Sequence, residues 1–90
     1  MFHLEWLDKA TSELTDGWLV ANSRLRDDIT AAIHEIERRL LRAPERAGES
    51  RNPGTRVMIL HPLAVTFHVN TRTNTVLISS VKVHRRRGKD

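Results

Sequence analysis

From Leu25 to Leu40 one pattern limits what this chain can fold into. Leu25, Ile29, Ala32, Ile33, Ile36 and Leu40 recur at spacings of three and four, which puts them on one continuous face of a helix. Arg24, Asp27, Asp28, Glu35, Arg38 and Arg39 fill the other faces. Pro44 stops the pattern, because proline has no N–H to donate and disfavours helical backbone in the residue before it. A helix with a single apolar face must cover something apolar. The chain after Pro44 supplies a candidate in a different periodicity.

Residues 45–54 read as a loop, with Asn52-Pro53-Gly54 as its turn. Three strands are then expected: Arg56 to Leu60, Ala64 to Asn70, and Thr75 to His84, the last two joined through Thr71-Arg72-Thr73-Asn74. Strand alternation puts Val65, Phe67, Val69, Leu77, Val81 and Val83 on a face that meets the helices. The other face carries Ala64, Thr66, His68, Ser80, Lys82 and His84, with Val76 and Ile78 at one end.

Upstream, Phe2, Leu4 and Trp6 alternate with His3 and Glu5, a short strand. Asp8 is placed to cap a helix from Lys9 to about Val20, with Leu14, Trp18 and Ala21 as its apolar stripe. Gly17 weakens that helix by up to ~1 kcal/mol and marks a break or kink. Asn22-Ser23 is the next punctuation, with Ser23 as the cap of the long helix. The short connection predicts an antiparallel helical hairpin. Trp6 and Trp18 are expected as core anchors, and Asp27 and Asp28 as a solvated face. The fold expected is α+β, in the order β-α-α-β-β-β, with the hairpin packed on one face of a small antiparallel sheet. Residues 1–87 form the domain and residues 88–90 a frayed basic tail.

At 90 residues the chain supports one modest core, which leaves room for a homodimer or a stabilising partner. It has no cysteine, so a zinc ribbon, a thiol nucleophile and a disulfide framework are excluded. The opening Met1-Phe2-His3-Leu4-Glu5 lacks the features of a signal peptide, and no apolar run approaches the ~20 residues of a membrane span. A cytoplasmic protein without a membrane role is expected. The formal charge of +4 is polarised. Residues 1–45 hold nine acids against six Lys and Arg, a net of −3; residues 46–90 hold two acids against nine, a net of +7. Such a distribution points to an anionic partner.

His84 ends the last strand between Lys82 and Arg85. A histidine there can act as general acid or base, and neighbouring cations favour its neutral form. The set suits ribonucleolytic transfer: a base takes the 2′-OH proton, cations stabilise the charged phosphorane, and an acid protonates the leaving oxygen. His68, on the same face, is a second candidate. His61 is assigned to a turn, and His3 and His34 to the surface. Arg46, Arg51, Arg56, Arg85, Arg86 and Arg87 lie in or beside the strands, and their planar forks match phosphate oxygens. Glu49 is a further candidate base, although a solvated or arginine-paired role fits it too. Phe67 is the sole aromatic after residue 45 and belongs in the core, so no platform for stacking bases is expected. No histidine pair has a recognised metal spacing, and neither a Gly-rich phosphate loop nor a Ser-His-Asp signature is present. No metal or cofactor is expected.

The element order, the hairpin ending at Pro44, and the strands Leu63-Ala64-Val65-Thr66-Phe67-His68-Val69 and Val76-Leu77-Ile78-Ser79-Ser80-Val81-Lys82-Val83-His84-Arg85 resemble the RelE/ParE superfamily. Its members are toxins of bacterial type II toxin–antitoxin systems. The resemblance covers Phe2 to Arg87 and rests on element order and strand pattern. It implies a cognate antitoxin peptide as partner. It further implies one of two actions: metal-independent cleavage of messenger RNA on the ribosome, or poisoning of DNA gyrase without nuclease activity. An inactive member that only binds its antitoxin is a third possibility. In some members of the RNA-cutting kind a histidine near the end of the last strand matches His84, and a basic residue two places earlier matches Lys82. Glu49 and Arg56 fall in the segment of acidic and basic site residues. Two features depart from that pattern. Pro62-Leu63-Ala64 stands where such members have an arginine, and the chain has no tyrosine. Arg85, Arg86 and Arg87 stand where the tyrosine would follow the last strand.

Overall fold

In a computed structural model that describes residues 1–84, the amphipathic stretch forms α2 (Ser23–Arg42), with Ile29, Ala32, Ile36 and Leu40 buried. Its cap is Asn22 rather than Ser23: the Asn22 side-chain oxygen accepts from the Leu25 N–H at 2.8 Å. Ser23 is already inside the helix. α2 stops at Arg42, and Pro44 opens a 3₁₀ turn (Pro44–Arg46).

Four strands follow α2, one more than the sequence pattern predicts. They are β2 (Glu49–Asn52), β3 (Thr55–Leu60), β4 (Leu63–Asn70) and β5 (Thr75–Val83). β1 (His3–Trp6) and α1 (Asp8–Leu19) precede them. β2 lies in the segment expected as a loop. Its four residues are all exposed, so it carries no apolar alternation; pairing with β3 alone makes it a strand. The sheet order is β1-β5-β4-β3-β2. Every pair from β2 to β5 is antiparallel, and β1 joins parallel to β5, which makes the sheet mixed. The two helices pack on one face, so the fold is α+β. The α1–α2 connection is short, and no helix among the described residues is long and apolar enough to cross a membrane.

The core lies between α2 and the sheet, around Phe67, Leu63, Val65, Val76, Ile78 and Val81, all fully buried. One expectation fails in β5. Val76 and Ile78 belong to the core, whereas Leu77 is half-buried and pairs with His68. The register of β4 on β5 shifts by one between Thr66 and Phe67, which opposes Ser80 to Thr66 and Ile78 to Phe67. The extra residue, Ser79, is a β-bulge, and a bulge reverses the side-chain phase. Val76, Ile78, Val81 and Val83 therefore share the helix-facing side despite the break in alternation.

α1 runs unbroken through Gly17, and Leu7 rather than Asp8 is its N-cap residue, with no side-chain cap. Gly17 permits contact with the sheet instead of a kink. A Cβ there would lie 2.5 Å from Val83 Cγ2 and 2.9 Å from Val83 Cβ. Trp18 is not a core anchor. It is exposed at the end of α1, with the Arg26 guanidinium 5.4 Å from its ring centroid. Arg26 also donates to the Trp18 and Leu19 carbonyls, at 2.9 and 3.2 Å, and so ties the start of α2 to the end of α1. Trp6 is half-buried against the core, as expected.

Helix propensity alone predicts that Gly17→Ala stabilises the protein by up to ~1 kcal/mol. The Val83 contact predicts the opposite, because overpacking costs about 1–3 kcal/mol. We expect a net loss of about 1 kcal/mol in urea unfolding; a stabilised variant would show that α1 does not press on β5.

Candidate functional site

The open face of the sheet, away from the helices, holds the residues that could do chemistry. Lys82 pairs with Ala64 in the register, and His84 follows two residues later on the same side. The Lys82 and His84 Cα atoms are about 7 Å apart along the strand. His84 is exposed, and its backbone N–H donates to the Pro62 carbonyl at 2.7 Å. That bond anchors the strand end beside the cis His61–Pro62 peptide, where His61 is an exposed turn residue as expected.

Lys82 is held by an interaction that the sequence does not reveal. Its ammonium donates to Glu13 Oε2 at 2.9 Å. The same carboxylate accepts from the Val81 backbone N–H at 2.9 Å, from Ser80 Oγ at 3.1 Å and from Lys9 Nζ at 3.1 Å. β1 pairs with β5 only as far as Ile78. Past that point α1 lies over the strand edge, and Glu13 supplies the acceptor that a neighbouring strand would have offered. Lys82 first, then the Val81 N–H, lowers the Glu13 pKa to about 2. Glu13 was not a sequence candidate, since its partners on β5 lie more than sixty residues away.

The remaining candidates are dispersed. Arg56 pairs with Phe67, which puts it on the helix side of the sheet, across from Lys82. There its Nε donates to the Ala47 carbonyl at 2.7 Å and its Nη2 to the Gly48 carbonyl at 3.1 Å. Gly48 has φ +65°, and a Cβ there would lie 2.1 Å from the Val57 carbonyl oxygen. The Arg56 fork thus braces a backbone turn that only glycine fits. Glu49 pairs with Val57 at the far edge of the open face, three strands from β5, or about 14 Å. Arg51 is exposed in β2 beside an irregularity in its pairing. Arg46 is in the 3₁₀ turn, beside the arginines of α2 and off the sheet. Arg85, Arg86 and Arg87, together with the tail at 88–90, lie outside the described residues. Of His84, Lys82 and Arg56, the first two stand two residues apart at the end of β5, and Arg56 lies on the other side of the sheet.

His68 has its own network on the open face. Ser79 Oγ donates to the Thr66 carbonyl at 3.3 Å, so it accepts from His68 Nε2–H at 3.2 Å. His68 Nδ1 then accepts from Thr55 Oγ1 at 2.9 Å. These partners assign the ring to its Nε2–H tautomer. His68 borders an open groove of about 650 Å³ by the β4–β5 turn, with Glu5, Asn70 and Arg72 among its walls. Among the described residues no group of three or more His, Cys, Asp or Glu is arranged to hold a metal ion.

No protein-family model and no curated protein sequence matches the chain. Solved structures do match it closely in fold. A chain of the chromosomal ParDE TA system from P. aeruginosa is 23% identical, with a TM-score of 0.69, over 94% of this chain and 98% of that one. A chain of the RelBE2 toxin-antitoxin complex from Mycobacterium tuberculosis is 21% identical, with a TM-score of 0.70, over 93% and 98%. The isolated E. coli RelE toxin is 17% identical, with a TM-score of 0.65, over 99% and 90%.

A folded-state pKa below the unfolded value means that ionised Glu13 stabilises the fold. That contribution is complete above pH 4.5 and is lost as pH falls towards about 2. Glu13→Gln is expected to melt at lower temperature than wild type at neutral pH, with the difference shrinking across this acid range. A constant difference from pH 7 to pH 2 would refute the ion-pair assignment.

Proposed function

We propose that this chain, which has the RelE/ParE toxin fold along nearly its whole length, is the toxin of a bacterial type II toxin–antitoxin system and acts as a metal-independent, ribosome-dependent mRNA endonuclease. The observation that supports the nuclease reading is the adjacency of His84 and Lys82, both exposed at the end of β5. His84 moves a proton, as base towards the 2′-OH or as acid towards the leaving oxygen. Lys82 stabilises charge on the phosphorane. Its ammonium is shared with Glu13, so the phosphate competes with a carboxylate already in place. Arg56, braced on the Ala47 and Gly48 carbonyls, supports the turn into β2 and is left out of the reacting set. Arg85 and Arg86 are the remaining cations for phosphate contact.

The antitoxin is proposed as a peptide that packs on the helical hairpin. Between α1 and α2 lies an open apolar groove of about 270 Å³, lined by Leu14, Trp18, Ile29 and Ile33. Leu19 and Val20, which follow Trp18 in the chain, are exposed, at 63% and 61%. A surface of this kind suits the apolar face of an amphipathic helix. One observation favours the gyrase-directed alternative: with Arg56 on the helix side and Pro62-Leu63-Ala64 opening β4, the described open face lacks an arginine beside His84.

Induced expression with mapping of RNA 5′ ends, wild type beside His84→Ala, tests the reading. Cuts inside translated codons are expected, reduced about 10²–10⁴-fold in the variant, the range typical of a lost acid–base group. Cuts that persist in His84→Ala would remove His84 from the mechanism. Growth arrest with intact mRNA and cleaved DNA would move the protein to the gyrase reading, and no arrest would leave antitoxin binding as its role.

A further inference from the structure

The end of α2 carries a cluster of cations that the His84 site does not use. Arg38, Arg39 and Arg42 from the last turns of the helix, and Arg46 from the 3₁₀ turn, line an open groove of about 240 Å³ with Ala43, Ala47 and Gly48. We propose that this groove is a second anion-binding surface that grips the phosphate backbone of structured RNA.

Four guanidinium groups face one carboxylate partner. Glu35 accepts from Arg38 at 2.6 and 3.0 Å and from Arg39 at 2.7 Å. Among the described residues, Arg42 and Arg46 make no side-chain hydrogen bond or ion pair, and both are exposed. Arginines in a last helical turn complement the helix dipole, which accounts for Arg39 and Arg42. It does not account for Arg46, which reaches the same groove from outside the helix. Arg38 and Arg42 stand one turn apart, about 6 Å along the axis, so their forks can take separate phosphate oxygens.

The remainder of the lining is Ala43, Ala47 and Gly48, which offers no apolar pocket to seat the side chains of an acidic peptide. No aromatic side chain lines the groove to stack a base. A surface with charge and little else reads phosphates and not sequence. The groove adjoins the Ala47–Gly48 backbone that Arg56 braces, so its wall is fixed by the fold. RNA as the source of the phosphate rests on the ribosome-directed reading above; the groove itself does not involve His84.

The test is equilibrium binding of the full-length protein to a labelled RNA hairpin, followed by anisotropy between about 50 and 200 mM salt. It does not depend on cleavage or growth, so its failure is separate from failure of the nuclease reading. In the Arg42→Ala/Arg46→Ala double variant, the slope of log K against log salt should become shallower by about 2. Glu35→Gln, which frees two guanidinium groups, should bind more tightly with a steeper slope. Thermal melts check that each variant folds. A double variant with an unchanged slope, or a Glu35→Gln protein that binds no tighter, would overturn the proposal. Loss of polyglutamate binding with RNA binding intact would reassign the groove to an acidic peptide. Preference for a DNA hairpin of matching sequence would overturn RNA as the ligand.

Discussion

The carboxylate of Glu13 closes the stretch of β5 whose outer edge has no strand beside it. β5 is flanked by β4 along its length and by β1 for its first four residues. Beyond Ile78 its outer edge would present an unpaired N–H at Val81. The chain makes this gap itself, because it leaves the edge at Trp6 to begin α1. It also fills the gap, since α1 returns over the same edge and presents Glu13 to Val81, Ser80 and Lys82. Gly17, one turn further on, lets the helix approach Val83. Polar closure and close packing thus act at adjacent turns of one helix.

The consequence reaches the site. Lys82 and His84 are at the end of β5, and the strand's path is set by the Ser79 bulge on one side and by α1 on the other. The bulge lets Val76, Ile78 and Val81 all enter the core, and it puts Ser79 where its hydroxyl receives His68. A strand in unbroken alternation would bury either Ile78 or Val81, but not both. The core and the polar open face therefore depend on the same irregular residue.

Elements governed by local chemistry were legible in the sequence. α2 is fixed by its spacing and by Pro44, and β4 by Val65, Phe67 and Val69. The β4–β5 turn at 71–74 and the fold class follow as well. What could not be read depends on distant partners. β2 has no apolar pattern and exists because β3 offers it hydrogen bonds. The parallel place of β1 beside β5 leaves no trace in either strand. The bulge did leave one, since Ser79-Ser80 interrupts the apolar alternation between Ile78 and Val81. For the site, adjacency within one strand made Lys82 and His84 readable together. The face on which Arg56 lies depends on pairing register, and the neighbours of Arg46 come from α2, so neither placement could be read locally.

The central claim is that Glu13 stands in for a missing strand at the edge of β5. Amide hydrogen exchange at Val81 tests it directly, since exchange reports whether that N–H is bonded and how it opens. The account predicts that Val81 is protected like the core amides of β4 in the wild-type protein, and that Glu13→Ala strips this protection while Val65 and Phe67 keep theirs. A Val81 amide that exchanges in wild type as fast as an exposed edge residue would contradict it.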